Sequence, residues 1–342
     1  MSVSNAWFQI QSAESVEKEL SECKEKGRMV NAKDKHGDAL VHFAARNHCL
    51  AVLVALHKHG ADMGAINEHG RQPLHEAIDS LECVTYLLRT CSVDVNALKR
   101  GDWTPTMIAG NFLRSMKGRL DIVKALVDAG ALLDRVTKDG RTALHLAVQE
   151  GHVETARYLA KQCPKAIIGT TNSGRLPIQI AAALVNAPET SLEITSDLLS
   201  NAPVSLSTLL AHRDKSGRNV LLDAVVSRNL ALLQFLLSHG ANPNETDTIG
   251  RSMIHHASMI GHLDVLQLLA RAAEEHNWLI KWDVPDTWDH WTPLMHAAKE
   301  GNLDIVRFLV ERTNDKEQMD KQGRTAKDLA CIWQRESVAE YL

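Results

Sequence analysis

A block of about 33 residues recurs along this chain, and recurrence constrains the fold more tightly than any single motif, because each copy must bury its apolar face against the next. The block is clearest over Lys138-Asp139-Gly140-Arg141-Thr142-Ala143-Leu144-His145-Leu146-Ala147, followed by Gly151-His152 and Tyr158-Leu159. Its glycine slot is filled by Gly37, Gly70, Asp102, Gly140, Gly174, Gly217, Gly250, His290 and Gly323, at intervals of 33, 32, 38, 34, 43, 33, 40 and 33. A spacing that returns to 33 after each excursion describes a constant unit carrying insertions, so nine hairpins are predicted.

Each slot has a physical role. Glycine between polar residues, as in Asp139-Gly140 and Ser216-Gly217, supplies the positive φ of a tight turn. The residue two positions on caps a helix, and Thr104-Pro105 and Thr292-Pro293 add proline at the first helical position, where its missing N–H costs nothing. A second helix carries apolar residues at helical spacing, as in Leu230, Leu233, Leu236 and Leu237, or Val265, Leu268 and Leu269. Gly240-Ala241-Asn242-Pro243 ends one such helix with a left-handed cap and a stop. Each unit is therefore a hairpin, two antiparallel helices and a loop.

This block resembles the ankyrin repeat. The resemblance implies an all-α solenoid of about nine to ten helix-turn-helix units joined by β-hairpin loops, forming one domain over residues 1–342. Residues 1–33 read as an N-terminal capping repeat, with Trp7, Phe8 and Ile10 in one amphipathic segment and Val16, Leu20 and Cys23 in a second, charged one. Residues 34–323 hold the repeats, and 324–342 the C-terminal capping helices, where Asp328 occupies a histidine slot and Trp333 stands in a polar stretch. Insertions fall at 110–118, 183–212 and 271–287. The first lengthens the turn between two helices, the second adds turn residues, and the third carries Trp278 and Trp282, which either close over the local core or anchor a partner.

Composition fits a stack of narrow layers, with 44% hydrophobic but only 4% aromatic residues. There is no apolar run of the roughly 18 residues a membrane span needs and no charged-then-apolar amino terminus, so an intracellular protein is expected. The six cysteines show no C-x-x-C pair and are expected to be small buried hydrophobes. No G-x-S-x-G, phosphate loop or H-E-x-x-H occurs, so no enzyme is expected, and no cofactor. His42, His75, His145 and His255 share one slot and His152 and His262 another, which points to a structural hydrogen bond between hairpin and helix rather than a metal site. A net charge of -4 makes direct nucleic-acid binding a minority reading, since acidic Asp34, Asp139 and Asp214 interleave with the local lysines and arginines.

Function is expected from protein binding. The residue after the glycine slot reads Asp38, Arg71, Trp103, Arg141, Arg175, Arg218, Arg251, Trp291 and Arg324, and Arg and Trp are the residue types enriched at binding hot spots. The resemblance implies that hairpin tips and first helices line a concave partner face, which makes Arg71, Arg141, Arg175, Arg218 and Arg251 candidates, or else residues that satisfy neighbouring hairpins. Trp103 and Trp291 are the stronger candidates because they depart from the row beside Asp102 and His290.

The motif order also resembles a branch of the family. It does so through His42-Phe43-Ala44-Ala45-Arg46, Pro73-Leu74-His75-Glu76-Ala77, Asp102-Trp103-Thr104-Pro105, Cys163-Pro164 and Ala297-Ala298-Lys299-Glu300-Gly301. That likeness implies a monomeric, cytosolic or nuclear partner of alanyl-tRNA synthetase that helps prevent serine mischarging, with lysines receiving misactivated serine. The matching positions are Lys138, Lys99 (beside Arg100, where the branch has a lysine) and Lys165, displaced from the branch's position. The competing expectation is a scaffold or assembly adaptor for an unrelated client.

Overall fold

The computed structural model describes residues 29–111 and 119–342, together with Glu14, Glu17 and Lys18. The predicted capping helices before residue 29, and residues 112–118 of the first insertion, lie outside the described residues. The contacts divide the chain into two compact units, residues 1–172 and 173–342.

In the first unit the helix pairs are α1 (Leu40–Arg46) with α2 (Leu50–Lys58), α3 (Pro73–Glu76) with α4 (Leu81–Arg89), α5 (Pro105–Asn111) with α6 (Arg119–Asp128), and α7 (Ala143–Gln149) with α8 (Val153–Gln162). A 3-10 turn at Pro164–Ile168 follows. First helices pack on first helices, second on second. The second unit repeats the scheme with α9 (Pro177–Ala182), α10 (Pro188–Ser200) and an extra helix α11 (Leu206–Ala211). The remaining pairs are α12 (Val220–Val226) with α13 (Leu230–Ser238), α14 (Met253–Ile260) with α15 (Leu263–His276), α16 (Pro293–Glu300) with α17 (Leu303–Val310), and α18 (Ala326–Ile332) with α19 (Glu336–Tyr341). Between the layers lie small aliphatic side chains such as Leu74, Ala77 and Leu87, and Leu221, Ala224 and Leu236, all at most 1% exposed. Burying each leucine contributes roughly 1.5–3 kcal/mol.

The hairpins are hydrogen-bonded turns, with isolated bridges at Lys33–Ala39, Lys99–Trp103 and Thr246–Ser252 rather than strands among the described residues. The first residue donates its N–H across the turn, as Asp34 does to the Asp38 carbonyl and Asp214 to that of Arg218. A second set of bonds joins tip to tip. In the first unit Glu68, Arg100, Lys138 and Asn172 donate to the carbonyls of His36, His69, Gly101 and Asp139; in the second Lys215, Thr248, Thr287 and Lys321 donate to Ser173, Ser216, Ile249 and Asp289. This close approach explains the glycines. A Cβ on Gly217 would stand 2.5 Å from the Thr248 nitrogen, and Gly217 also needs φ of +77°.

The shared histidine slot is indeed structural. Nδ1 of His75 accepts the N–H of Gln72 at the start of α3, while Nε2 donates to the Ala97 carbonyl of the next repeat. His42 and His255 do the same toward Arg71 and Trp291. Gln179 makes both bonds in the second unit, and at Thr104 and Thr292 the threonine caps the helix directly.

The second insertion departs from the sequence expectation, while the third packs in part. Residues 183–212 are not merely turn: they extend the second helix to 13 residues and add α11. Residues 271–276 lengthen α15 to 14 residues, after which Asn277 turns left-handed and Trp278 stacks 4.8 Å from His276. Trp282 meets Phe308 of the next repeat edge to face at 5.7 Å, and Ile280 is buried, whereas Leu279 beside it is 82% exposed. The cysteines also differ from expectation, because Cys83 alone among the described ones is buried, while Cys331 is exposed.

Candidate functional site

Most hairpins begin with Asp or Asn, and that residue does more for the turn than the glycine. Its Oδ1 accepts two backbone N–H groups across the tip: His36 and Asp38 for Asp34, His69 and Arg71 for Asn67, Ser216 and Arg218 for Asp214, Ile249 and Arg251 for Asp247. This device was readable in the sequence as Asp or Asn three residues before the glycine slot, though the glycine spacing alone missed it. The third hairpin lacks it, because Lys99 stands there.

Without a carboxylate to close the turn, the Lys99 side chain lies across Trp103, with Nζ 4.8 Å from the ring centre. Burial and then the Arg71 charge hold the Lys99 ammonium below the usual lysine pKa. Among the described residues it has no ion-pair partner, and the Trp103 indole N–H has no hydrogen-bond acceptor. Lys99 and Trp103 border a cleft of about 300 Å³, whose other walls include Arg71, His75, Glu76 and Ile108. Glu76 is already engaged, accepting from Arg46 and Arg71 at 3.1 Å each. Burial tends to raise the Glu76 carboxyl, but the Arg46 and Arg71 contacts prevail and keep it ionised.

The eighth hairpin, which also carries Trp-Thr-Pro, is built differently. Asp286 is buried, and its Oδ1 accepts the N–H groups of Asp289 and Trp291 while Oδ2 faces Arg251 at 3.5 Å and His296 at 3.3 Å. Trp291 is half-buried and donates Nε1–H to Asp320 of the next hairpin at 3.1 Å. One extra tip residue, visible as five rather than four steps from Asp286 to Trp291, leaves Trp288 66% exposed. Trp288 was not singled out in the sequence reading.

The arginine row is occupied within the fold. Arg71 pairs with Glu76, Arg141 donates to Gln149 at 2.8 Å, and Arg251 meets Asp286. Arg175 and Arg218 converge on Asp223, a carboxylate with no exposed surface, and Arg175 also donates to the Gln179 carbonyl. The partners are chiefly acidic side chains, not the hairpin carbonyls that the slot suggested. Among the lysines, Lys138 is exposed on the hairpin after Lys99 and its N–H donates to the Gly101 carbonyl, so these two belong to adjoining tips. Lys165 is exposed on the 3-10 turn after α8. No group of three or more metal-ligating side chains stands together among the described residues, and none of the described helices is long and apolar enough to cross a membrane.

The comparisons with known proteins agree with this architecture. A family model described as ankyrin repeats in three copies matches residues 11–99, 111–203, 223–320 and 254–342. The B-cell lymphoma 3 protein homolog of Mus musculus is 28% identical over 257 residues, 72% of this chain and 52% of that protein. Ankyrin repeat protein nuc-2 of Neurospora crassa is 32% identical over 63% of this chain and 19% of its own length. The probable 26S proteasome regulatory subunit p28 of Saccharomyces cerevisiae is 28% identical over 58% of this chain and 83% of its length. The chain thus spans about half of the first relative and about a fifth of the second.

Proposed function

The chain belongs to the ankyrin-repeat family, and from that premise we propose that it is a non-enzymatic binding protein whose partner surface centres on the third hairpin. The observation that carries this reading is the cleft at Lys99 and Trp103. Most arginines of the hairpin row pair with acidic side chains, whereas here, among the described residues, a cation and an indole have no such partner beside Arg71. Aromatic and arginine side chains around a desolvated pocket are what binding hot spots use.

The finer reading is that the partner is alanyl-tRNA synthetase, reached in the cytosol or nucleus. It is supported by the likeness of motif order to ankyrin repeat domain-containing protein 16, including Asp102-Trp103-Thr104-Pro105 in the matching repeat. Under this reading Lys99 is the best-prepared acceptor for serine activated at its carboxyl. An amine must lose its proton to attack; the lowered pKa enlarges the neutral fraction of Lys99, whose Nζ would form an amide bond to the serine carboxyl carbon as the bond to the activating group breaks and that group leaves. Lys138 and Lys165 complete the set by resemblance. Arginine at Arg100 does not serve, since its guanidinium stays protonated.

Capture of alanyl-tRNA synthetase by the purified chain, compared with Trp103→Ala and Lys99→Ala chains, tests both levels. Retention by the parent and loss by Trp103→Ala supports the site and the partner. Failure of the parent to retain the synthetase at low salt removes the finer reading and favours an adaptor for another client. Equal retention by parent and Trp103→Ala removes the third hairpin as the site.

A further inference from the structure

In the second unit, three residues that the proposed function leaves unused stand together. Lys299, in the last turn of α16, places Nζ 5.0 Å from the Trp333 ring centre and 5.9 Å from that of Trp291. We propose that these two indoles form a cation-accepting site, filled in the unbound chain by its own Lys299, and that its outside ligand is a lysine or arginine side chain of a basic peptide segment. This surface lies in a different unit from the Lys99 cleft and stands or falls independently of the reading given to that cleft.

The Trp291 ring is held by contacts that do not involve the lysine ammonium, and the backbone that carries Trp333 is fixed at the end of α18. Trp291 is fixed by its bond to Asp320 and by the edge of His296 at 5.2 Å. Trp333 caps the end of α18, and the following Gln334 turns left-handed. Arg335 then donates Nε–H to the Lys299 carbonyl at 3.0 Å, tying the end of α16 to the segment that carries Trp333. The filler, by contrast, is a long side chain near the surface, with 30% of its area exposed. It can swing out and leave two π faces to a competing cation.

The electrostatics select the sign of the ligand. Lys299 sits 3.1 Å from the Glu300 carboxylate, which is itself accessible and can accompany an arriving ammonium or guanidinium. Residues 283–342 carry twelve Asp and Glu against eight Lys and Arg, so a basic segment is drawn to this end of the chain and an acidic one is repelled. Trp333, 49% exposed, offers the arriving side chain an open edge.

Calorimetric titration of the full chain with a ten-residue oligoarginine peptide at 0.15 M salt, with oligoglutamate of equal length as control, tests the proposal. Lys299→Ala removes the internal competitor and should tighten oligoarginine binding about three- to tenfold, while Trp333→Ala should weaken it by about the same factor. Trp333→Leu keeps apolar bulk without the π face and should weaken it likewise, which separates lost recognition from lost folding. Weaker or unchanged binding by Lys299→Ala, undiminished binding by Trp333→Leu, absence of oligoarginine binding, or binding of oligoglutamate through Lys299 would each overturn it.

Discussion

The third and eighth hairpins share Trp-Thr-Pro and the same break in the glycine row, yet the fold uses them in opposite ways. Both replace glycine with a left-handed residue, Asp102 at φ +63° and His290 at +58°. In the eighth, Asp286 closes the turn and Asp320 of the next hairpin takes the indole N–H of Trp291. In the third, the first position is Lys99 and the next hairpin begins with Thr137, so neither hairpin's first residue supplies a carboxylate for the Trp103 indole. The shared Trp-Thr-Pro thus gives an indole N–H bound to the next hairpin in one repeat and, among the described residues, one without an acceptor in the other. The difference lies in their acidic neighbours.

The largest test of this contrast is to remove the first hairpin residue. Asp286→Ala should cost about 2–4 kcal/mol, because it removes a buried carboxylate that holds two N–H groups of the turn and faces the partly buried Arg251 and the buried His296. Lys99→Ala should cost under about 1 kcal/mol. Urea midpoints compare the two, and near-equal losses would erase the distinction between the hairpins.

Acid provides the next. Burial above all holds His255 near 3 and His75 and His296 near 4. The unfolded chain protonates such rings near the ordinary value of about 6.5. Below that pH the unfolded state takes up protons that the native state refuses, so stability is full above about 6.5 and falls as pH drops toward the folded values, by up to about 1.4 kcal/mol per unit for each ring. Two of the three rings lie in the second unit around the eighth hairpin. On lowering pH from 7 to 5, fluorescence from its tryptophans should report loss of structure before Trp103 does.

A smaller effect should separate the tryptophans themselves. Trp291→Ala loses packing and leaves Asp320 short of a donor, at about 2–3 kcal/mol, whereas Trp103→Ala should cost about 1 kcal/mol and act mainly on partner binding. Thermal melts beside the capture experiment give both readouts. A Trp103→Ala chain that unfolds would make both tryptophans structural. The smallest effect is expected at the glycine slot. Asp102→Gly and His290→Gly should each stabilise by about 0.5–1 kcal/mol by relieving left-handed strain, and a loss on substitution would show that those side chains hold the turn.

Much of this molecule was legible in its residues. Nine turns, their helix pairs, proline starts and glycine stops follow from local rules, because caps, turns and helical periodicity are satisfied within a few positions of the chain. The histidine slot was readable as structural through its repetition, and the two bonds made by His75 confirm the role. The 183–212 insertion was less readable: its length was evident, but whether it would become turn or the helices α10 and α11 depended on what it could pack against.

The sequence by itself thus determined the repeat, its boundaries and the positions where it breaks. Only the tertiary structure decided which partner each arginine and tryptophan takes: some lie within the same repeat, such as Glu76 beside Arg71, and others about 30 residues away, such as Asp320 beside Trp291. A side chain in a hairpin row is engaged or left without a partner according to what its own repeat and the adjoining one offer it. Periodicity sets which residues adjoin, while the charge and reach of each neighbour set the outcome.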